Sequence, residues 1–182
     1  MQESKENDAL IVQLLQNDAT VEKGFKILVE SYSQRLYWHI RSIVKGHQDA
    51  NDVVQNTFIK VFKGIKGFKS DAKLYTWLYR IATNESLTFL KRKKNTATMD
   101  DVAVLKKAAP SFHDEKSTVE KLKIAIEQLP EKQKLVFNLR YFEEMPYQDI
   151  ADITGTTVGG LKASYHHAVK KLATYLTTNN IH

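Results

Sequence analysis

The side chains able to do chemistry fall into two groups: six histidines with 21 carboxylates, and 27 lysines and arginines. Catalysis or metal binding would need the first group at fixed spacing. Metal pairs on a helix sit three or four residues apart. His166 and His167 are adjacent, so on a helix they diverge by about 100°. His39, His47 and His113 have no acidic partner at a useful spacing. No phosphate-binding loop, dinucleotide glycine pattern or nucleophile elbow is present. The absence of cysteine excludes disulfides and Cys-based zinc sites, and suits a reducing cytoplasm. The expectation is therefore no enzyme, no metal, no cofactor and no small-molecule substrate.

The cations are the informative group because they are segregated. Residues 60–94 hold ten Lys/Arg against two Asp/Glu, a net +8, and residues 161–182 hold three against none, a net +3. Residues 1–59 carry −2 and residues 95–160 carry −3, although the whole chain is +6. Two separated basic blocks suit two contacts on one long polyanion. The run Lys91-Arg92-Lys93-Lys94 would also suit a helix C-terminus, where cations meet the dipole. Aromatics interleaved with the basic residues of the first block favour nucleic acid.

Positioning these groups falls to helices. Seven glycines and three prolines leave little for a turn-dense β fold, and apolar residues recur with helical period. Leu10, Ile11, Leu14 and Leu15 form one stripe, and Phe25, Leu28, Val29, Tyr32, Leu36 and Ile40 a second. Val54, Phe58, Val61, Phe62 and Ile65 predict the buried face of a third helix, with Asp49 as its N-cap. Asp52, Gln55, Asn56, Ile59, Lys60 and Lys63 then face outward. A fourth helix buries Leu74, Trp77, Leu78, Ile81 and Ala82 and leaves Arg80 and Asn84 outside. Trp77 could be a wedge at melted DNA, but its spacing to Leu74 and Ile81 places it in the core.

Residues 95–118 contain Asn, Thr, Asp, Pro and Ser without sustained period, and read as a flexible linker. The apolar piece Val102–Leu105 is too short to make a domain. As a coil, such a tether spans about 25–30 Å on average and about 80 Å when pulled straight.

Beyond it, Val119, Leu122, Ile126 and Leu129 form a stripe, Pro130 separates two helices, and Leu135, Val136, Leu139 and Phe142 follow. Then come a short helix with Ile150, Ala151 and Ile153, a turn at Gly155, and a cap at Thr157. A long helix follows, with Val158, Leu161, Tyr165, Ala168, Leu172 and Leu176 inward. That is the helix-turn-helix pattern. Its outward face carries Gly159, Gly160, Lys162, Ala163, Ser164, His166, His167, Lys170 and Lys171. The fold expected is all-α: a helical domain over 1–94, a linker over 95–118, and a helix-turn-helix domain over 119–182.

Two motifs in the first domain, Asp52-Val53-Val54-Gln55-Asn56-Thr57-Phe58 and Thr76-Trp77-Leu78-Tyr79-Arg80-Ile81-Ala82-Thr83-Asn84, resemble region two of the extracytoplasmic-function sigma factors. These are promoter-specificity subunits of bacterial RNA polymerase. The segments Leu129–Gln133, Tyr147–Ala151 and Val158–Lys162 resemble region four of the same family. The resemblance implies that Asp52, Gln55, Asn56 and Ile59 dock on the beta-prime clamp helices, with the beta flap as a second polymerase contact. From spacing alone, Asp52 and Gln55 would be a solvated helix face.

The resemblance further implies that the loop Phe68, Lys69, Ser70, Asp71 and Lys73, with Arg80, Asn84 and Lys91–Lys94, contacts the minus-ten element. The helix opening near Thr157 would read the minus-thirty-five element. Promoter elements two helical turns apart are separated by about 70 Å, within reach of two domains on this linker. Family members thread the linker toward the polymerase active-site cleft and RNA exit channel, and often have a membrane-bound anti-sigma partner. Many also have Arg where this chain has Ser164 and His167, so its base preference does not carry over. A rival reading is an autonomous helix-turn-helix regulator, which would explain residues 119–176 but not the two region-two motifs. Binding to core polymerase separates the two.

Overall fold

The structure, a computed structural model, describes residues 2–68, 73–96 and 118–178, with side chains omitted at 2–6 and 118. Among them every regular element is a helix, and the chain divides into two compact units. The expected linker lies outside the described residues except at its ends, where Asn95, Thr96 and Thr118 are helical. Val102–Leu105 and His113 also lie outside them.

The first unit holds α1 (Gln2–Gln16), α2 (Val21–Val44), α3 (His47–Gly64), a single 3-10 turn (Ile65–Gly67) and α4 (Leu74–Thr96). Helix α1 turns back on α2 through a close crossing. A Cβ added to Gly24 would lie 2.8 Å from the Leu14 Cβ, so only glycine fits there. Ile11 and Leu15 are buried at this crossing. The Tyr32 hydroxyl donates to Asp8 Oδ1 across it. Lys45, in the left-handed region at φ 67°, ends α2 by returning its N–H to the Arg41 carbonyl.

The N-cap of α3 is Gly46, not Asp49, which lies inside the first turn. A Cβ on Gly46 would stand 2.6 Å from Asp49 Oδ2, so the carboxylate folds back over the cap position. The buried face of α3 is Ala50, Val53, Thr57, Phe58, Val61 and Ile65. It differs from the expected stripe: Val54 is half-buried and Phe62 is 47% exposed, its ring edge-on to Phe25 at 5.1 Å. Thr57 enters the core because its hydroxyl bonds the Val53 carbonyl one turn back, at 2.7 Å. Ser86 does the same on α4 with Ala82, at 2.8 Å.

Leu74, Leu78, Tyr79 and Ala82 anchor α4 in the core, while Trp77 and Ile81 are half-buried. His39 of α2 meets α4 through Nε2 and Thr83 Oγ1 at 2.8 Å, beside the Tyr79 ring. Burial without a charged partner pushes this histidine down to about 4. Two further expectations are corrected by exposure: Leu10 is outside on α1 and Val119 is outside on the first helix of the second unit.

The second unit comprises α5 (Thr118–Glu127), α6 (Glu131–Tyr141), α7 (Tyr147–Thr154) and α8 (Val158–Thr178). Ala125, Ile126, Leu129, Phe137, Ala168 and Leu172 form one core cluster. Phe142, expected in that core, is exposed because α6 ends before it. Its place is taken by Phe137, whose ring stacks on Tyr165 at 5.9 Å. Lys134 is only 2% exposed; its ammonium reaches out to Glu127 Oε2 at 3.1 Å.

Candidate nucleic-acid interface

Helix α8 is held for presentation by local chemistry at its start. Gly155, at φ 67°, ends α7 in the left-handed conformation and sends its N–H to the Ala151 carbonyl at 2.8 Å. Thr157 then caps α8: its hydroxyl accepts the Gly160 N–H at 3.2 Å, and its carbonyl accepts the Leu161 N–H at 2.9 Å. With Leu161, Ala168 and Leu172 buried, Gly159, Lys162, Ala163, His166, His167, Lys170 and Lys171 stand exposed. Gly160 and Ser164 are half-buried.

The cations of α8 do not share one environment. Lys162 Nζ lies 6.0 Å from the centre of the Tyr147 ring, on the flank beside α7. Arg140 packs over the same ring at 5.2 Å and donates to the Met145 carbonyl at 3.1 Å. His167, Lys170 and Lys171 instead border an open pocket of about 530 Å³ with Ala125, Gln128 and Leu129. The sequence gives no sign of this division, because it depends on where α5 packs.

In the first unit, Asp52, Gln55, Asn56 and Ile59 are all exposed on α3. Phe62 extends this face by a turn, a residue that sequence reasoning places inside. Helix α4 turns Arg80, Asn84 and Lys91–Lys94 to the outside. Lys60 and Glu85 bind α3 to α4 as an ion pair.

Phe68 departs from its expected role at the interface. It is 7% exposed and its ring lies 5.1 Å from Trp77, so the side chain packs in the core of the first unit. Lys73 is exposed at the start of α4; Lys69, Ser70 and Asp71 lie outside the described residues. Among the described residues, no group of His, Cys, Asp and Glu is assembled that could hold a metal ion. None of their helices is long and apolar enough to cross a membrane.

Residues 28–96 match the family model Sigma-70 region 2, and residues 120–172 match Sigma-70, region 4. The chain belongs to the extracytoplasmic-function sigma factors. It is 31% identical to the ECF RNA polymerase sigma-E factor of Haemophilus influenzae, over 92% of this chain and 94% of that protein. To the RNA polymerase sigma-H factor of Pseudomonas aeruginosa it is 30% identical, over 91% of each. Its fold is similar to that of the sigma factor RpoE of Bartonella quintana, solved in complex with the anti-sigma factor NepR. There the TM-score is 0.70, at 24% identity over 85% of this chain and 98% of that one. With both sigma regions in one chain, this is an alternative sigma factor, a subunit that binds core RNA polymerase and directs it to promoters. The autonomous-regulator reading is set aside.

Proposed function

We propose that the labour of initiation is divided among three exposed helix faces. The face of α3 around Asp52, Gln55, Asn56 and Ile59 docks on core polymerase. The outward side of α4, with Lys73 and the loop before it, holds the minus-ten element. The outer face of α8 reads the minus-thirty-five element in the major groove. The observation that carries this reading is that Asp52, Gln55 and Asn56 of α3 and Lys73, Arg80, Asn84 and Lys91–Lys94 beside and along α4 all lie outside the core.

The minus-ten element is read as a single strand. Duplex reading would require a helix presented to the major groove, and residues 49–94 have no helix-turn-helix to offer one; what they have is the segment 68–73 between two helices and a basic helix face. Small polar side chains in a loop suit an unstacked base, and the flanking lysines suit phosphates. Lys69, Ser70 and Asp71 supply such side chains. The protein performs no catalysis itself and works in the cytoplasm beside its polymerase. An anti-sigma factor, as in the RpoE–NepR complex, is a fitting inhibitor.

Run-off transcription with core polymerase tests the whole reading. The wild-type chain should restore promoter-specific initiation. Asp52→Ala with Gln55→Ala should lose it through weaker core binding, and exchange of Lys69–Lys73 for a relative's loop should change the preferred base at one minus-ten position. Unchanged transcription by both variants would remove the proposed roles of α3 and the loop.

A further inference from the structure

Arg80, Asn84, Leu87, Lys91 and Lys94 recur at intervals of four, three, four and three residues, so they form one stripe along α4. All five are exposed, and no carboxylate stands among them. Glu85 lies on a different side of α4, where it pairs with Lys60 of α3. In the middle of this cationic stripe Leu87 is 49% exposed. Its own helix does not need it for packing, because Leu78, Ala82 and Ser86 complete the buried side.

A strand lying along this stripe would place phosphates near Arg80, Lys91 and Lys94, and a base edge near the Asn84 amide. What remains for Leu87 is an apolar neighbour. The edge of a base offers one apolar projection, the 5-methyl group of thymine. We infer that Leu87 is a specificity-determining residue that packs on a thymine methyl group within or beside the minus-ten element. The inference rests on the proposed role of α4. Because that role is the reading of a single strand, the methyl belongs to a melted base, and a duplex arm serves as the comparison.

The test uses the full chain assembled with core polymerase and a minus-ten fork recovered by selection from a randomised library. The fork is remade with deoxyuridine for thymidine, either in its single-stranded arm or in its duplex arm, which removes methyl groups and nothing else. Wild-type affinity should fall about threefold to fivefold for the single-stranded arm and hold for the duplex arm, as expected when one methyl group is withdrawn from an apolar neighbour; a fall in the duplex arm alone overturns the inference. Leu87→Ala should show the same fall on the thymidine fork and no further fall with deoxyuridine, and Leu87→Met should keep part of the sensitivity. Core binding should be unchanged in both variants. The inference is overturned if the selected fork lacks thymine or if wild type ignores the deoxyuridine exchange. It is also overturned if Leu87→Ala retains full methyl sensitivity or weakens core binding. Lys91→Ala should weaken thymidine and deoxyuridine forks equally; if it weakens neither, the proposed role of α4 fails first.

Discussion

His39 is neutral where it sits, with Thr83 for a partner and no carboxylate to stabilise a charge. Its proton affinity is about 4 in the folded unit against about 6.5 in the unfolded chain. Between these values the unfolded state holds more protons, so this contribution to stability is intact above pH 6.5 and is lost as pH falls toward 4. The first unit should lose about 2 kcal/mol between pH 7 and pH 5 from this group alone. Urea unfolding at the two pH values measures it, and His39→Gln should remove that part of the dependence. Thr157→Ala removes the hydroxyl from the start of α8 and should cost about 1 kcal/mol in the second unit, read by thermal unfolding. Which polar residues enter the core is not legible in the chain. Thr57 and Ser86 look like surface, and become buriable only because each hydroxyl finds a carbonyl on its own helix.

At the level of helices, period alone locates nearly every element, and the cap and turn at Thr157 and Gly155 are readable from residue type. Errors gather where a stripe is wide or a helix ends. Three to four apolar residues per two turns leave room to choose Val54 over Val53, or to draw Phe62 inward. Phe142 is misplaced because nothing in its neighbourhood marks the end of α6, and Phe68 because the resemblance takes the loop as one unit and does not separate a side chain that packs inward on Trp77. On α3, Asp52→Ala with Gln55→Ala should weaken core polymerase binding while helical content and melting temperature stay nearly unchanged, because neither side chain is buried. A large drop in melting temperature would return both residues to a structural role. On α8, Lys162→Ala should lower affinity for a minus-thirty-five duplex. Its salt dependence should flatten by about 0.9 in the log–log slope for each phosphate that is no longer neutralised. Lys171→Ala should flatten it less, since Lys171 borders the pocket beside α5.

The two units are visible in the sequence as two blocks of helical period around an aperiodic stretch, and each block ends in its own basic segment, 60–94 and 161–182. Each unit has its own buried cluster. Fragments 1–96 and 118–182 should therefore fold separately, each with a cooperative melt and the helical content of its share of the intact chain. A fragment that stays unfolded alone would show that its core borrows from its neighbour.

The close crossing at Gly24 has a practical consequence for where such a module can be cut. The region-two pattern begins at Leu28, yet Ile11, Leu14 and Leu15 lie upstream of it and pack on α2. A gene fragment trimmed to the pattern would strip that cover and present Leu28 and Tyr32 to solvent as a ready adhesive strip. Fusion proteins or chimaeric regulators assembled from this chain need their junction before α1, since the matched pattern starts at Leu28 and the packed unit starts a helix earlier.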